Sequence, residues 1–371
     1  MTVYADDRGA VSLHVTPSRG GAANVTVNAR CDARGAVMIR AIRLHVVARA
    51  PLPVAVRPAF GARPLVPRGV DPATLSEADL KRLELPPRPD AGRDPKNYAD
   101  WLRAVTTPVT RVRGTPILRR DMIHGPVNVS GVRRAPATGG AKNGYYNSNN
   151  WSGIVDFGGY GQFTNWVAGK WTVPAVNTDF SDSPAYSSVW DGIDGWNSND
   201  VIQNGTEQDA YDLPLFGSLA SYSAWYEFFP DGGSSTLPNF NVNPGDDIYA
   251  ASWLCYDGNG QRYGCYYMEN MTQGEATPVY SEPGQHPELF QGNSAEWITE
   301  RPTVNGNLNP LPQFGVFPFW WEHVYDSYAG GGRNACDENE NVISMFNGGD
   351  ELATVFPTSC ESASFVWRNF Q

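Results

Sequence analysis

Two side chains in this sequence are suited to do chemistry together. Glu296 stands directly before a tryptophan in Ala295-Glu296-Trp297-Ile298, and Gln203 sits in the short run Val201-Ile202-Gln203-Asn204-Gly205. A carboxyl can take a proton from water and later return one to a leaving group. A side-chain amide offers N–H donors to a developing oxyanion, and its carbonyl can orient a water. The pair therefore has the parts that hydrolysis of an amide bond requires. Taken singly, neither residue decides anything. A strand carboxylate alternating with large apolar residues normally faces solvent, and so do most glutamines at strand ends. Trp190 and Asp194 (in Trp190 to Gly195) and Glu227 (in Trp225 to Phe228) also lie in aromatic runs. There a carboxylate can serve only as an acceptor for Tyr or Trp donors.

The other titratable residues narrow the chemistry. The histidines are His14, His45, His124, His286 and His323, and only the last two lie in the second half of the chain. Neither stands in a Ser, Cys or metal-type arrangement, which argues against a Ser-His-Asp triad or a zinc site. No metal and no cofactor are implied.

The elements that must position these residues read as strands. From Trp151 onward, short aromatic and β-branched runs recur between Gly, Asn, Asp and Pro. Trp151 to Val155, Val167 to Pro174, Ser223 to Phe229, Asp247 to Tyr256, Arg262 to Met268 and Phe314 to Trp321 are such runs. Their spacing predicts an all-β sandwich or barrel.

The front of the chain differs. Up to Lys142 there are 23 Lys/Arg against 11 Asp/Glu, a net of +12; the remainder carries 5 against 28, a net of −23. The arginines are dispersed among Pro and Ala, without zinc-finger spacing or an aromatic stacking platform, so nucleic acid is not the expected partner. A basic arm covering the acidic domain of the same chain is simpler. Two short helices are expected in it, Thr74 to Leu83 and Asp94 to Val105, the second with Pro95 at its first position. The Gly/Asn/Ala-rich stretch Ala135 to Asn150 marks the boundary, giving units 1–142 and 143–371. The dibasic pairs Arg119-Arg120 and Arg133-Arg134 offer processing sites. No apolar run reaches the ~18 residues of a membrane span, and the first thirty residues lack an apolar leader core. Of five cysteines, Cys255 and Cys265 flank a turn-rich hairpin and could close a short loop; Cys336 and Cys360 could close another. Four cysteines in the acidic half fit an oxidising, secreted setting.

In combination the runs are more specific. Asn150-Trp151-Ser152-Gly153, GKWTVP (Gly169 to Pro174), SVWDGIDG (Ser188 to Gly195), VIQNG (Val201 to Gly205), SAWYEFFPD (Ser223 to Asp231) and AEWITE (Ala295 to Glu300) follow one another in that order. The second half resembles the glutamic peptidases, the eqolisin family of acid endopeptidases. The resemblance implies two antiparallel sheets in a bent, concanavalin A-like sandwich with the cleft on the concave face. It also implies a catalytic pair, falling on Gln203 and Glu296, with Trp190, Asp194 and Glu227 as cleft support. It implies peptide substrates and a basic N-terminal prosegment, here residues 1–142, holding the cleft closed through charge pairing and the two helices. A monomer is expected. Asp191 departs from the family pattern, where an apolar residue is usual, and is expected to shift the titration of the cleft. The rival class is a lectin or glycosidase, since aromatic-lined sheets with paired carboxylates also describe sugar enzymes. Gln203 as the partner of Glu296 speaks against it.

Overall fold

The computed structural model describes residues 2–5, 11–15, 23–31, 37–42, 63–92, 95–133, 144–157, 164–178, 182–213, 217–230, 233–284, 290–326, 331–333, 340–359 and 362–369. Its contacts divide the chain into two units, Met1–Arg57 and Pro58–Gln371. The first is an antiparallel meander of four strands, Thr2–Ala5, Val11–Val15, Ala23–Cys31 and Val37–Ile42.

In the second unit twelve strands carry the architecture: β1 Trp151–Phe157, β2 Thr164–Thr172, β3 Ala185–Ile193, β4 Val201–Leu213, β5 Gly217–Phe229, β6 Asp247–Tyr256, β7 Arg262–Asn270, β8 Ser294–Glu300, β9 Val316–Asp326, β10 Glu340–Asn347, β11 Asp350–Ser359 and β12 Ser362–Trp367. One sheet runs β5-β4-β3-β8-β1-β10 and the other β11-β12-β9-β2-β6-β7, every pairing antiparallel. The β10–β11 hairpin links the two. The expected all-β sandwich is observed.

Period-two alternation explains why both faces of each sheet are apolar. Ile154, Val189, Ile193, Ile202, Phe228 and Trp297 of the first sheet face inward, onto Val167, Trp171, Ile248, Ala250, Tyr266 and Met268 of the second. The Trp171 indole donates to the Thr206 hydroxyl at 3.0 Å and ties the layers together. The alternate residues of the first sheet, Trp151, Val155, Trp190, Trp225 and Ile298, form a separate cluster on its other face. The alternate residues of the second sheet, Trp166, Ala168, Tyr249, Ala251, Trp253 and Tyr267, form a third. Cys255 and Cys265 are joined on this face, as their spacing suggested; Cys336 and Cys360 lie outside the described residues.

The N-terminal stretch covers both outer faces, in different ways. Helix α1 is Glu77–Arg82 and α2 is Pro95–Thr106. The first begins later than the sequence suggests because Ser76 caps it reciprocally with Asp79, while Pro72–Thr74 forms a separate 3-10 turn. Helix α2 packs on the second sheet through Ala104, and α1 packs on α2 through Leu80 against Trp101 and Val105. The first sheet is crossed by residues 117–133 instead. Ile117–Arg119 pairs with the edge strand Ser234–Leu237, beyond β5. Val129–Arg133 pairs at the opposite edge with Tyr145–Ser148, which lies against β10. The segment between spans the sheet. The helical stretch, expected over the cleft, thus lies on the second sheet, and a strap, residues 117–133, crosses the first.

Candidate active site

Register brings the two sequence-predicted residues together. Gly192 at the end of β3 stands opposite Gln203 of β4 on one side and Glu296 of β8 on the other. Three strands abreast place the two backbones roughly 10 Å apart with their side chains on one face. The residue between them must be glycine. A Cβ there would lie 2.8 Å from the Trp190 ring and 3.2 Å from the Gln203 Cβ. The same row continues to Glu227, opposite Gln203.

Both candidates are fully buried, so the solvent-facing alternative for Glu296 does not hold. Among the described residues no group hydrogen-bonds Gln203 Oε1, and the Ser294 hydroxyl is the one side-chain donor that acts on the Glu296 carboxyl. A buried polar atom without a partner calls for an explanation, and a place kept for a reactant is one. Burial pushes the Glu296 carboxyl well above the ordinary carboxylate range; a hydrogen bond from Ser294 opposes this, and the nearby Asp194, Asp156 and Asp200 carboxylates add to it.

The supporting residues take distinct places. Trp190 lines the face, edge-on to Trp151 at 5.0 Å, and its indole donates to Glu300 Oε2 at 2.9 Å. Asp194 sits just beyond the row and braces it. Its carboxylate accepts three backbone N–H groups, from Gln291, Gly292 and Asn293 at 2.7–2.8 Å. Those residues form the approach to β8, so Asp194 sets where Glu296 enters. Burial pushes Asp194 up to about 6 against these donors. Asp191 behaves otherwise than expected. It alternates with Trp190 and Gly192, so it faces between the sheets, where its carboxylate accepts from the Ser252 hydroxyl at 2.9 Å. It is no part of the cleft.

Period two also reveals residues that motif reading passed over. Four positions beyond Gln203 and Glu296 stand Glu207 and Glu300, both paired with Ser188 and hence on the same face. The alternation Gln203-x-Gly205-x-Glu207 was present in the sequence. His124 carried no such signal, because it comes from the N-terminal half.

That histidine fills the face. Its imidazole stacks on Trp225, ring centroids 3.5 Å apart and planes within 7°. Its Nε2 lies 3.0 Å from Glu207 Oε2 and its Nδ1 3.2 Å from Glu227 Oε2. The His124 N–H donates to the same Glu227 oxygen at 3.0 Å. Gln203 Nε2 donates to the His124 carbonyl at 2.5 Å. Burial pushes His124 well below its ordinary value, and Arg119 adds to this. Burial pushes Glu207 and Glu227 well above theirs. Past His124 the strap is held by Asn150, whose Nδ2 donates to the Pro126 carbonyl and whose Oδ1 accepts from the Asn128 N–H.

A carboxyl and an amide flank a glycine floor on a buried, aromatic, carboxylate-rich sheet face. Residues 149–358, more than half of the chain, match the peptidase A4 family, and the chain belongs to that family. It is similar to Aspergillopepsin-2 of Aspergillus niger, with 28% identity over 190 residues; the match covers 46% of this chain and 62% of the relative's length. A scytalido-glutamic peptidase solved with a transition state analog inhibitor aligns with 20% identity and a TM-score of 0.49, over 59% of this chain and 98% of its own. A second structure of that peptidase, with a peptide based transition state analog, gives 20% and 0.48 over the same shares.

Proposed function

We propose that this protein is a glutamic-type acid endopeptidase, made as a zymogen, with Gln203 and Glu296 as its catalytic dyad. Glu296, ionised, takes a proton from the attacking water; Gln203 Nε2 donates to the oxyanion of the tetrahedral intermediate. Glu296, now protonated, gives the proton to the leaving nitrogen. Burial under the strap favours the protonated form, which suits the second role; water admitted once the strap has left lowers that burial and lets the carboxyl ionise for the first. Trp190, Asp194 and Glu227 support the cleft as wall, brace and rim. Residues 1–142 act as prosegment and residues 143–371 as catalytic domain. Secretion accords with the disulfide.

One observation carries this reading: Gln203 already holds a peptide carbonyl, that of His124, as it would hold a substrate's. The strap thus blocks the dyad by occupying it. Family membership does not favour the carbohydrate reading.

The test is hydrolysis of denatured casein between about pH 2 and 7 by acid-treated protein. Activity on the acid side, insensitive to chelators and serine reagents, is expected. Gln203→Ala should lower kcat by roughly 10²–10³, and Glu296→Gln should abolish turnover. Cleavage that survives both substitutions would place the chemistry elsewhere.

A further inference from the structure

A buried carboxyl lies directly behind the candidate dyad and takes no part in it. Asp191 and Asn204 stand opposite each other on β3 and β4, one residue along from the Gly192–Gln203 pair. Alternation turns them to the other face, between the sheets, with Val189, Ile193 and Ile202. There Ser252 of β6 reaches across from the second sheet. Its hydroxyl contacts both, Asp191 Oδ1 at 2.9 Å and Asn204 Oδ1 at 3.0 Å. All three residues are buried. The Asn204 amide is oriented by its other end, where Nδ2 donates to the Tyr267 carbonyl at 3.0 Å and lies 3.4 Å from that of Ala251. Turning the amide over would set its oxygen against both carbonyls.

One protonation state satisfies these contacts. A hydroxyl has a single proton to give. An ionised Asp191 takes it, and Asn204 Oδ1 is then left facing an oxygen with nothing to donate. A protonated Asp191 reverses the contact of the carboxylate form: it donates to Ser252, and Ser252 donates to Asn204. The network then runs without a break from Asp191 to the backbone of β7 at Tyr267. Solvation agrees. The groups acting on Asp191 are the Ser252 hydroxyl and the Gly169 N–H, with no charge of either sign among them, and burial pushes its carboxyl well above the ordinary range against both. Its register neighbours on the flanking strands are Asn204 and Trp297. Tyr266, opposite Ser252, is the titratable side chain that register adds to this set, and a tyrosine is neutral throughout the acid range.

We propose that Asp191 is a positioning residue, a neutral carboxylic acid whose hydrogen-bonded network through Ser252 and Asn204 holds Gly192 and Gln203 in place from behind. The positioning role rests on the peptidase reading; the protonation state does not. Asn204 shares a peptide bond with Gln203, and Asp191 shares one with Gly192. Rotation of either strand about its own axis therefore moves both faces together. The network ties β3 and β4 to the second sheet at the point where the Gln203 side chain leaves for the cleft. Loss of the Asp191 proton would put an uncompensated charge between the sheets, which is costly, and would break the network at its head.

The experiment takes infrared spectra of the full-chain protein and kinetics from the acid-treated protein. At about pH 6 an ordinary aspartic acid is ionised. The infrared difference between wild type and Asp191→Asn then isolates this carboxyl. A protonated-acid C=O stretch in the wild type, missing from the variant, is expected; its absence would overturn the proposal. Asp191→Asn puts an amide donor where the acid proton was, so kcat on casein should stay within about twofold of wild type. Ser252→Ala cuts the network in the middle. It should lower kcat about tenfold with KM within about twofold, the split expected when the dyad is displaced and substrate binding is not. Activity unchanged in Ser252→Ala, or lost in Asp191→Asn, would overturn the positioning role. The near-isosteric Asp191→Asn carries the test alone where Ser252→Ala does not fold. Absence of casein cleavage by the wild type would overturn the peptidase reading and the positioning role with it, while the infrared band still decides the protonation state.

Discussion

The same N-terminal stretch grips the β domain twice, and the two grips are chemically opposite. On the second sheet, Ala104 and Val109 are buried against Trp166, Tyr249, Trp253 and Tyr267, and behind them Trp101 and Val105 pack with Leu75, Leu80 and Leu85 of the same stretch. Its principal ion pair, Arg103 with Glu269 at 3.1 Å, follows the expected sense of a basic arm on an acidic domain. Arg111 and Arg113 instead pair with Glu84 of their own segment. On the first sheet, residues 117–133 offer His124 to Gln203, Glu207 and Glu227, and the contacts are polar and titratable. Apolar burial responds weakly to pH, whereas buried titratable contacts respond strongly. The first grip should therefore outlast the second as the pH changes.

The largest effects should come from the lasting grip and from the small core behind it, where Trp101 packs with Leu75, Leu80, Leu85 and Val105. Trp101→Ala removes a fully buried indole that also donates to the Pro86 carbonyl at 3.0 Å. It should cost about 3–5 kcal/mol in urea unfolding of the full chain. Arg103→Ala leaves Glu269 buried without its partner. The full cost of such a loss is about 3–5 kcal/mol; partial exposure of Arg103 reduces it to about 2 kcal/mol. Arg103→Met should recover part of that by packing its stem.

The β domain itself should prefer acid. Burial raises Asp194 to about 6, Asp200 to about 7 and Asp209 to about 6. The folded state therefore holds protons that the unfolded chain has released above about pH 4. Stability is greatest below that value and falls as pH rises through about 4 to 7. The melting temperature should drop across that window, and Asp200→Asn should flatten the drop.

Smaller in energy is the loss of the strap's key residue. His124→Ala removes the stack and both carboxyl contacts and should loosen residues 117–128 by about 1–2 kcal/mol. Faster protease nicking within the strap, with global unfolding unchanged, would register it.

Much of this was legible in the sequence. Alternating apolar runs gave the strands, and the order of the motifs marked Gln203 and Glu296, whose register about Gly192 the strands then supply. Pro95 marked the start of α2, and the hairpin between Cys255 and Cys265 marked their pairing. What stayed hidden was which face each residue takes relative to chain far away. Asp191 and Gly192 are neighbours, yet one faces Ser252 between the sheets and the other floors the cleft. Charge counting predicted a basic cover. It could not say that the helices would take one sheet while a single histidine took the other.

Proton counting sets where the strap releases. The two N···O contacts of His124 hold two protons when closed. One of the two is the proton that a neutral imidazole keeps. In water an imidazole takes up its second proton at about pH 6.5 and a glutamate is protonated at about pH 4.3. Above about pH 6.5 the released state holds one proton and falling pH tightens the strap; between about pH 4.3 and 6.5 it holds two, and pH matters little. Below about pH 4 it holds four, two on the imidazolium and one on each glutamate, and falling pH opens it. Hydrogen exchange followed from about pH 6 to pH 3 reads both grips at once, after correction for intrinsic rates. The account predicts that residues 117–128 lose protection below about pH 4 while residues 97–106 keep theirs. Loss of both segments together, or a strap still protected at about pH 3, would contradict it.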